Sequence, residues 1–194
     1  MITMWTVITE ALDMLRAAGA AVTPAQLGAP TPCTEWTVTQ VLQHAAGDQL
    51  AWAAALGTGS GPADDPFSPS GRLRTSVDDL LAPAIATAAT AWAAVPPGAE
   101  PVSTPLPQGA LPAATAAAAC ALDAAIHAWD ITSALGRPSA LTPQLAAVLL
   151  PAARAIVEPL RQYGVYAPAL APEAGDDEAA ELLRYLGRDP GWRR

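Results

Sequence analysis

Residues 112–136 read PAATAAAACALDAAIHAWDITSALG, and the fold turns on how this stretch is read. Pro112 stands at its head, no proline or glycine follows until Gly136, and alanine, the strongest helix former, fills 11 of the 25 positions. Proline is tolerated in a first helical turn and glycine suits the residue just past a helix end, so a helix is expected from about Pro112 to Leu135. Working outward, Ile8, Ala11, Leu12 and Leu15 recur at three- and four-residue steps, which predicts a helix over residues 3–20. Thr23-Pro24 predicts a short turn. Thr37 and Gln40 have the spacing of a capping box, and Val38, Val41, Leu42, Ala45 and Ala46 form the apolar stripe of a helix running to about Leu56. Residues 57–71, rich in Gly, Pro, Ser and Asp, predict a loop that is mobile or covers a site. A third helix is expected from Thr75 or Ser76, with Pro83 kinking it or displacing its start, and it stops at Pro96-Pro97-Gly98. Thr142-Pro143 opens a fifth helix that ends near Gly164, and residues 176–186 predict a short last one. Residues 101–106 and 165–170 are the only candidate strands. Long helices joined by short or proline-rich links indicate an all-α bundle.

The chain of 194 residues supports one compact domain: a bundle over residues 1–140, with the helices of residues 141–194 packed on it. A formal charge of −8 argues against nucleic acid and anionic membranes, both of which call for a basic face. No membrane span and no signal-peptide pattern is found, so a cytoplasmic location is expected. All ten basic residues are arginine. Cys33 and Cys120 show no CxxC spacing and are too few for a disulfide framework, which fits a reducing compartment.

Chemistry concentrates on two helices. The chain has two histidines, His44 and His127, and Asp123 stands four residues before His127. Groups four residues apart project from one helix face and can chelate one cation. His44, on a neighbouring helix, would complete three ligands. Two nitrogens and one carboxylate suit zinc first, with nickel or ferrous iron as alternatives. Three protein ligands leave a coordination position for water or substrate, the catalytic pattern. The same spacing also fits a plain hydrogen-bonded Asp–His pair. A carboxylate among Ala119, Cys120, Leu122, Ala124 and Ile126 nonetheless requires a partner. Asp48, one turn beyond His44, is a candidate substitute ligand or base. Asp130 is a candidate for orienting a ligand. Arg72, Arg74 and Arg137 are candidates for meeting an anionic cofactor or substrate, against the plainer role of solvating the surface. Trp36 and Trp129 are expected to be packing anchors, and Cys33 a small buried residue in a turn.

The segment Thr31-Pro-Cys-Thr-Glu-Trp-Thr-Val-Thr-Gln-Val-Leu-Gln-His44 resembles a signature of the mycothiol-dependent maleylpyruvate isomerase-like, DinB-related superfamily. The segment Asp123-Ala-Ala-Ile-His-Ala-Trp-Asp130, leading to Gly136, resembles a second. Leu182-Leu-Arg-Tyr-Leu-Gly-Arg-Asp-Pro190 is similar to the ending of an actinobacterial metal-binding subfamily. The resemblance implies a DinB-like up-down four-helix bundle with short extra C-terminal helical elements. It puts His44, Asp123 and His127 at the metal-ligand positions. The better-studied isomerases have glutamate where Asp123 stands, and they carry a larger C-terminal domain than the residues after Gly136 provide. The implied function is a metal-dependent isomerase or S-transferase acting on a small molecule with mycothiol or a similar thiol. Two alternatives stay open: a thiol-independent lyase, hydrolase or cyclase of specialised metabolism, and a non-catalytic metal- or ligand-binding protein. A homodimer fits as well, because such bundles often pair helix faces.

Overall fold

The computed structural model describes residues 4–96 and 98–194; Thr3 and Pro97, which the sequence reading places at a helix start and a helix stop, lie outside the described residues. The α-helices are α1 (Met4–Ala20), α2 (Val38–Ala55), α3 (Val77–Ala94), α4 (Ala113–Ala134), α5 (Pro143–Arg161) and α6 (Glu178–Tyr185), with a 3-10 turn at Pro24–Gln26. The starts of α2, α3, α5 and α6 are set by local hydrogen bonds that occupy amides with no partner inside the helix. Gln40 Oε1 accepts from both the backbone N–H and the hydroxyl of Thr37, each at 3.0 Å. Ser76 Oγ accepts from the Asp79 amide, Thr142 Oγ1 from Leu145, and Asp177 Oδ1 from Ala180. Pro83 lies inside α3 without displacing its start. The fifth helix ends at Arg161, short of the expected Gly164, which instead takes φ +74° in the following turn. Neither candidate strand forms among the described residues. Val102 makes one isolated antiparallel bridge to Leu111, and the Leu170 amide bonds to the Arg184 carbonyl at the end of α6.

Helix α1 packs against α3 and α4, and α2 packs against the same two. Gly19 near the end of α1 meets Val77 and Leu81 at the start of α3, so these two run antiparallel. Trp52 late in α2 lies 6.1 Å from Trp92 late in α3, so α2 and α3 run parallel. His44 early in α2 faces His127 late in α4, so that pair is antiparallel. The helices thus run up, down, down, up, compatible with a DinB-like bundle but departing from simple up-down alternation where α2 and α3 lie parallel. A parallel neighbour requires the chain to travel back along α2, a distance of about 27 Å for 18 residues. The 57–71 loop makes that return, held to α2 on the way. Gln43 Nε2 donates to the Arg72 carbonyl at 3.0 Å, and the Gly71 amide donates to Gln43 Oε1 at 2.9 Å.

One continuous buried cluster unites the helices. Leu15, Leu42, Ile85, Leu122 and Ile131 fill the bundle, while α5 adds Leu145 and Leu149 and α6 adds Leu182 and Leu183. Burying each such side chain stabilises by about 1.5–3 kcal/mol. The polar residues that share this interior are few, and most of them meet at one place.

Candidate metal centre

Helix α2 supplies His44 and α4 supplies Asp123 and His127, one turn apart. Their ligand atoms all lie within 4.8 Å of one another. His127 Nε2 is 3.4 Å and His44 Nε2 3.7 Å from the same oxygen, Asp123 Oδ1. The two imidazoles stand nearly perpendicular, with centroids 4.7 Å apart.

Each group is held from behind. His44 Nδ1 lies 3.0 Å from the Pro66 carbonyl oxygen. A carbonyl can only accept, so Nδ1 carries the hydrogen and Nε2 keeps its lone pair. The return loop is therefore part of the site. It also brings the exposed Phe67 ring to 5.3 Å from His44, which lies 4.7 Å from the Trp36 ring as well. His127 Nδ1 donates to Asp130 Oδ2 at 3.0 Å. Asp130 is wholly buried and gripped by Arg188, whose Nε donates to Oδ1 at 2.9 Å and Nη2 to Oδ2 at 2.7 Å. Gln49 Nε2 donates to Asp123 Oδ2 at 3.1 Å, which leaves Oδ1 for the histidines. Behind Gln49, Cys120 Sγ donates to its Oε1 at 3.4 Å, and Trp92 Nε1 donates to that sulfur at 3.2 Å.

The electrostatics follow from burial and charge. Burial, then the His127 charge, lowers the His44 pKa to about 4, so this ring is neutral at pH 7. Burial also opposes charge on His127, but the Asp123 carboxylate outweighs it with help from Asp130, raising the ring to about 9. Asp123 is pulled below its ordinary value: burial works against ionisation, and His127 first, then His44 and Gln49, overcome it. For Asp130 burial is overcome by the Arg188 guanidinium, which holds the carboxyl at about 2. Asp48 goes the other way, well above the ordinary carboxylate range, through burial and the adjacent Asp123 charge. Two imidazole Nε2 atoms and a carboxylate oxygen converge on one point, and both Nδ1 atoms are committed to acceptors. That donor set fits a divalent cation of the zinc, nickel or ferrous type.

Asp48 is brought to the centre, with Oδ2 3.7 Å from His44 Nε2. Asp130 stands behind His127, where it can orient the ring. Arg72 and Arg74 are exposed beyond the return loop. Arg137 is exposed at the end of α4, where it lines a separate cavity of about 330 Å³ with Trp129, Trp192 and Arg193. None of these three arginines is among the residues that contact the histidines and carboxylates. Cys33 is half-buried, and burial first, then the Asp130 charge, pushes its thiol up to about 11, which disfavours a nucleophilic role. Reasoning from sequence passed over Gln49, Arg188, the Pro66 carbonyl and Tyr166. The Tyr166 phenol, raised by burial and then by the Asp123 charge, belongs to the link between α5 and α6. Arg188 did carry a signal, since it sits in the quoted C-terminal pattern, but no role was attached to it.

Residues 8–132 match the family model of the mycothiol maleylpyruvate isomerase N-terminal domain, a span that contains all three candidate ligands. Two proteins of Mycobacterium tuberculosis are similar: the uncharacterized protein MT0763 of strain CDC 1551 / Oshkosh and the uncharacterized protein Rv0738 of strain ATCC 25618 / H37Rv. Each is 36% identical over 156 residues, covering 77% of this chain and 77% of the relative. No solved structure gives a significant match.

Proposed function

Since the chain belongs to the mycothiol maleylpyruvate isomerase N-terminal domain family, we propose that it is a metal-dependent enzyme that uses mycothiol or a similar small thiol to isomerise, or transfer sulfur to, a small electrophilic substrate. His44, Asp123 and His127 would hold one divalent ion, zinc first among the candidates. The observation that carries this reading is the convergence of the three donors within 4.8 Å, each fixed from behind by a separate partner. The ion would supply a Lewis acid that lowers the pKa of a thiol placed at its open side.

The chain's own residues have roles suited to this. Gln49 and Asp130 keep Asp123 and His127 in place without a change of rotamer during turnover. The Trp36 and Phe67 rings flank His44 and provide an apolar wall for the substrate's carbon skeleton. Asp48, whose carboxyl stands 3.7 Å from His44 Nε2, is placed to pass a proton to or from the substrate. In an isomerase the sulfur adds to an activated double bond, rotation follows about the resulting single bond, and elimination regenerates the thiol. In a transferase the sulfur stays and a leaving group departs or a ring opens. Asp48 also favours a second reading, a thiol-independent lyase, hydrolase or cyclase, because a carboxyl beside the ligands serves water chemistry equally well.

The test is turnover by zinc-loaded protein of a panel of electrophiles (α,β-unsaturated acids, epoxides, alkyl halides), with and without mycothiol. Consumption that requires both thiol and metal is the expected result. Turnover indifferent to thiol selects the second reading, and absence of any thiol-dependent reaction across the panel removes the first.

A further inference from the structure

The family-matched segment ends at residue 132, yet the grip on Asp130 comes from Arg188, 58 residues beyond it in the chain. The structure delivers that guanidinium deliberately. Helix α6 buries Leu182 and Leu183, and Leu186 follows at its end. Gly187 then takes φ +78°, a conformation that side-chain-bearing residues disfavour, and a β-carbon there would meet Ala167 and Pro168 at 2.8 Å. The next residue, Arg188, is only 8% exposed. The segment has moorings of its own that do not touch Asp130. Arg184 pairs with Glu173 at 2.8 Å and Asp176 at 2.9 Å, and Arg161 donates to the Ala167 and Tyr185 carbonyls.

We propose that residues 182–190, acting through Arg188 as a positioning residue, set the orientation of His127 and hence the metal affinity of the centre, and that metal binding in turn holds this C-terminal segment down. The proposal rests on the reading of His44, Asp123 and His127 as metal ligands. A guanidinium is a planar fork, and two parallel bonds to one carboxylate fix the carboxylate's plane as well as its place. Asp130 Oδ2 serves both Arg188 Nη2 and His127 Nδ1, so fixing that oxygen fixes the rotation of the imidazole. The opposite ring nitrogen, Nε2, then points at Asp123 Oδ1. A ligand already aimed costs no orientation when the ion arrives. Coupling between two sites is reciprocal, so the docked segment raises metal affinity by the same factor by which metal favours docking.

The test uses the full-length untagged chain. Zinc affinity is measured by competition with a chromophoric chelator, ligand geometry by the visible spectrum of the cobalt-substituted protein, and docking by tryptic cleavage after Arg184 and Arg188. Arg188→Lys keeps the positive charge and removes the fork, and Arg188→Ala removes both. Arg184→Ala loosens the moorings without touching Asp130. The expected result is a zinc affinity about 10–100-fold weaker in Arg188→Lys, with a shifted cobalt spectrum. Arg184→Ala should stay within about twofold of the parent, since it shares no partner with the centre. Zinc should slow cleavage after Arg184 in the parent and fail to do so in Arg188→Lys. A parent that binds zinc, with both Arg188 variants matching its affinity and cobalt spectrum, overturns the coupling and leaves the metal site standing. Equal losses in Arg184→Ala and Arg188→Lys also overturn it, because general packing would then explain the effect. A parent that binds neither zinc nor cobalt removes the metal reading and the coupling together.

Discussion

Replacing Asp130 by asparagine tests the interior of the site without any metal present. The carboxylate is wholly buried, bonded twice by Arg188 and once by His127. Asparagine keeps the shape and removes the charge, which leaves a buried guanidinium without its anion. Breaking a buried pair in this way costs about 3–5 kcal/mol. In a domain of this size that corresponds to a fall in Tm of about 6–20 °C. Part of the loss depends on pH, and its sign is fixed. The Asp130 carboxyl is lowered from 3.8 to about 2 in the folded protein, by Arg188 against the opposing effect of burial. A depressed carboxyl contributes stability that is complete above its unfolded value and disappears as pH falls through the folded one. A difference of nearly two pKa units is worth roughly 2 kcal/mol. The stability gap between parent and Asp130→Asn should therefore be fully present near pH 5, where His127 is charged as well, and narrow by about 2 kcal/mol as pH approaches 2. Urea denaturation of both metal-free proteins between about pH 5 and 2 gives the change in the gap directly. A gap that does not change below pH 4 would refute the picture of an ionised Asp130 held by Arg188.

Three further outcomes are expected. Gly187→Ala should destabilise by about 1–3 kcal/mol in thermal or urea unfolding, because φ +78° and the 2.8 Å approach of Ala167 and Pro168 both oppose a β-carbon. Gln49→Leu removes the donor to Asp123 Oδ2 and strands the Cys120 thiol. It should cost about 1–3 kcal/mol in urea unfolding. With its thiol raised to about 11, Cys33 should react with iodoacetamide at pH 8 about 100-fold more slowly than a free cysteine, as followed by mass spectrometry of the modified peptide.

Helix starts were legible because each rests on a short local pattern: Thr37 with Gln40, Ser76 with Asp79, Thr142 before Pro143. Asp123 and His127 were legible as a pair because one helix turn fixes their spacing, and His44 followed as the only other histidine in the chain. The parallel run of α2 and α3 was not, although the length of the 57–71 loop was its trace; a loop's composition does not say where it returns. The Pro66 carbonyl is a backbone atom, so its grip on His44 leaves no mark in residue type. Gln49 reads as one more polar residue of a helix until Asp123 is placed opposite it. Arg188 depends on a contact spanning 58 residues and on a glycine turn that only the folded chain gives a purpose. The candidate strands failed because extended backbone needs a partner ladder, and residues 165–170 meet the end of α6 instead.

The most direct test of the central claim is the metal content of the untagged protein after incubation with zinc, nickel or ferrous iron and removal of excess, set beside His127→Ala and Asp123→Ala. The account predicts about one equivalent of metal in the parent and its loss in both variants, while circular dichroism remains helical. A parent that stays metal-free with every ion, or variants that retain the full equivalent, would contradict the assignment of His44, Asp123 and His127 as a metal site.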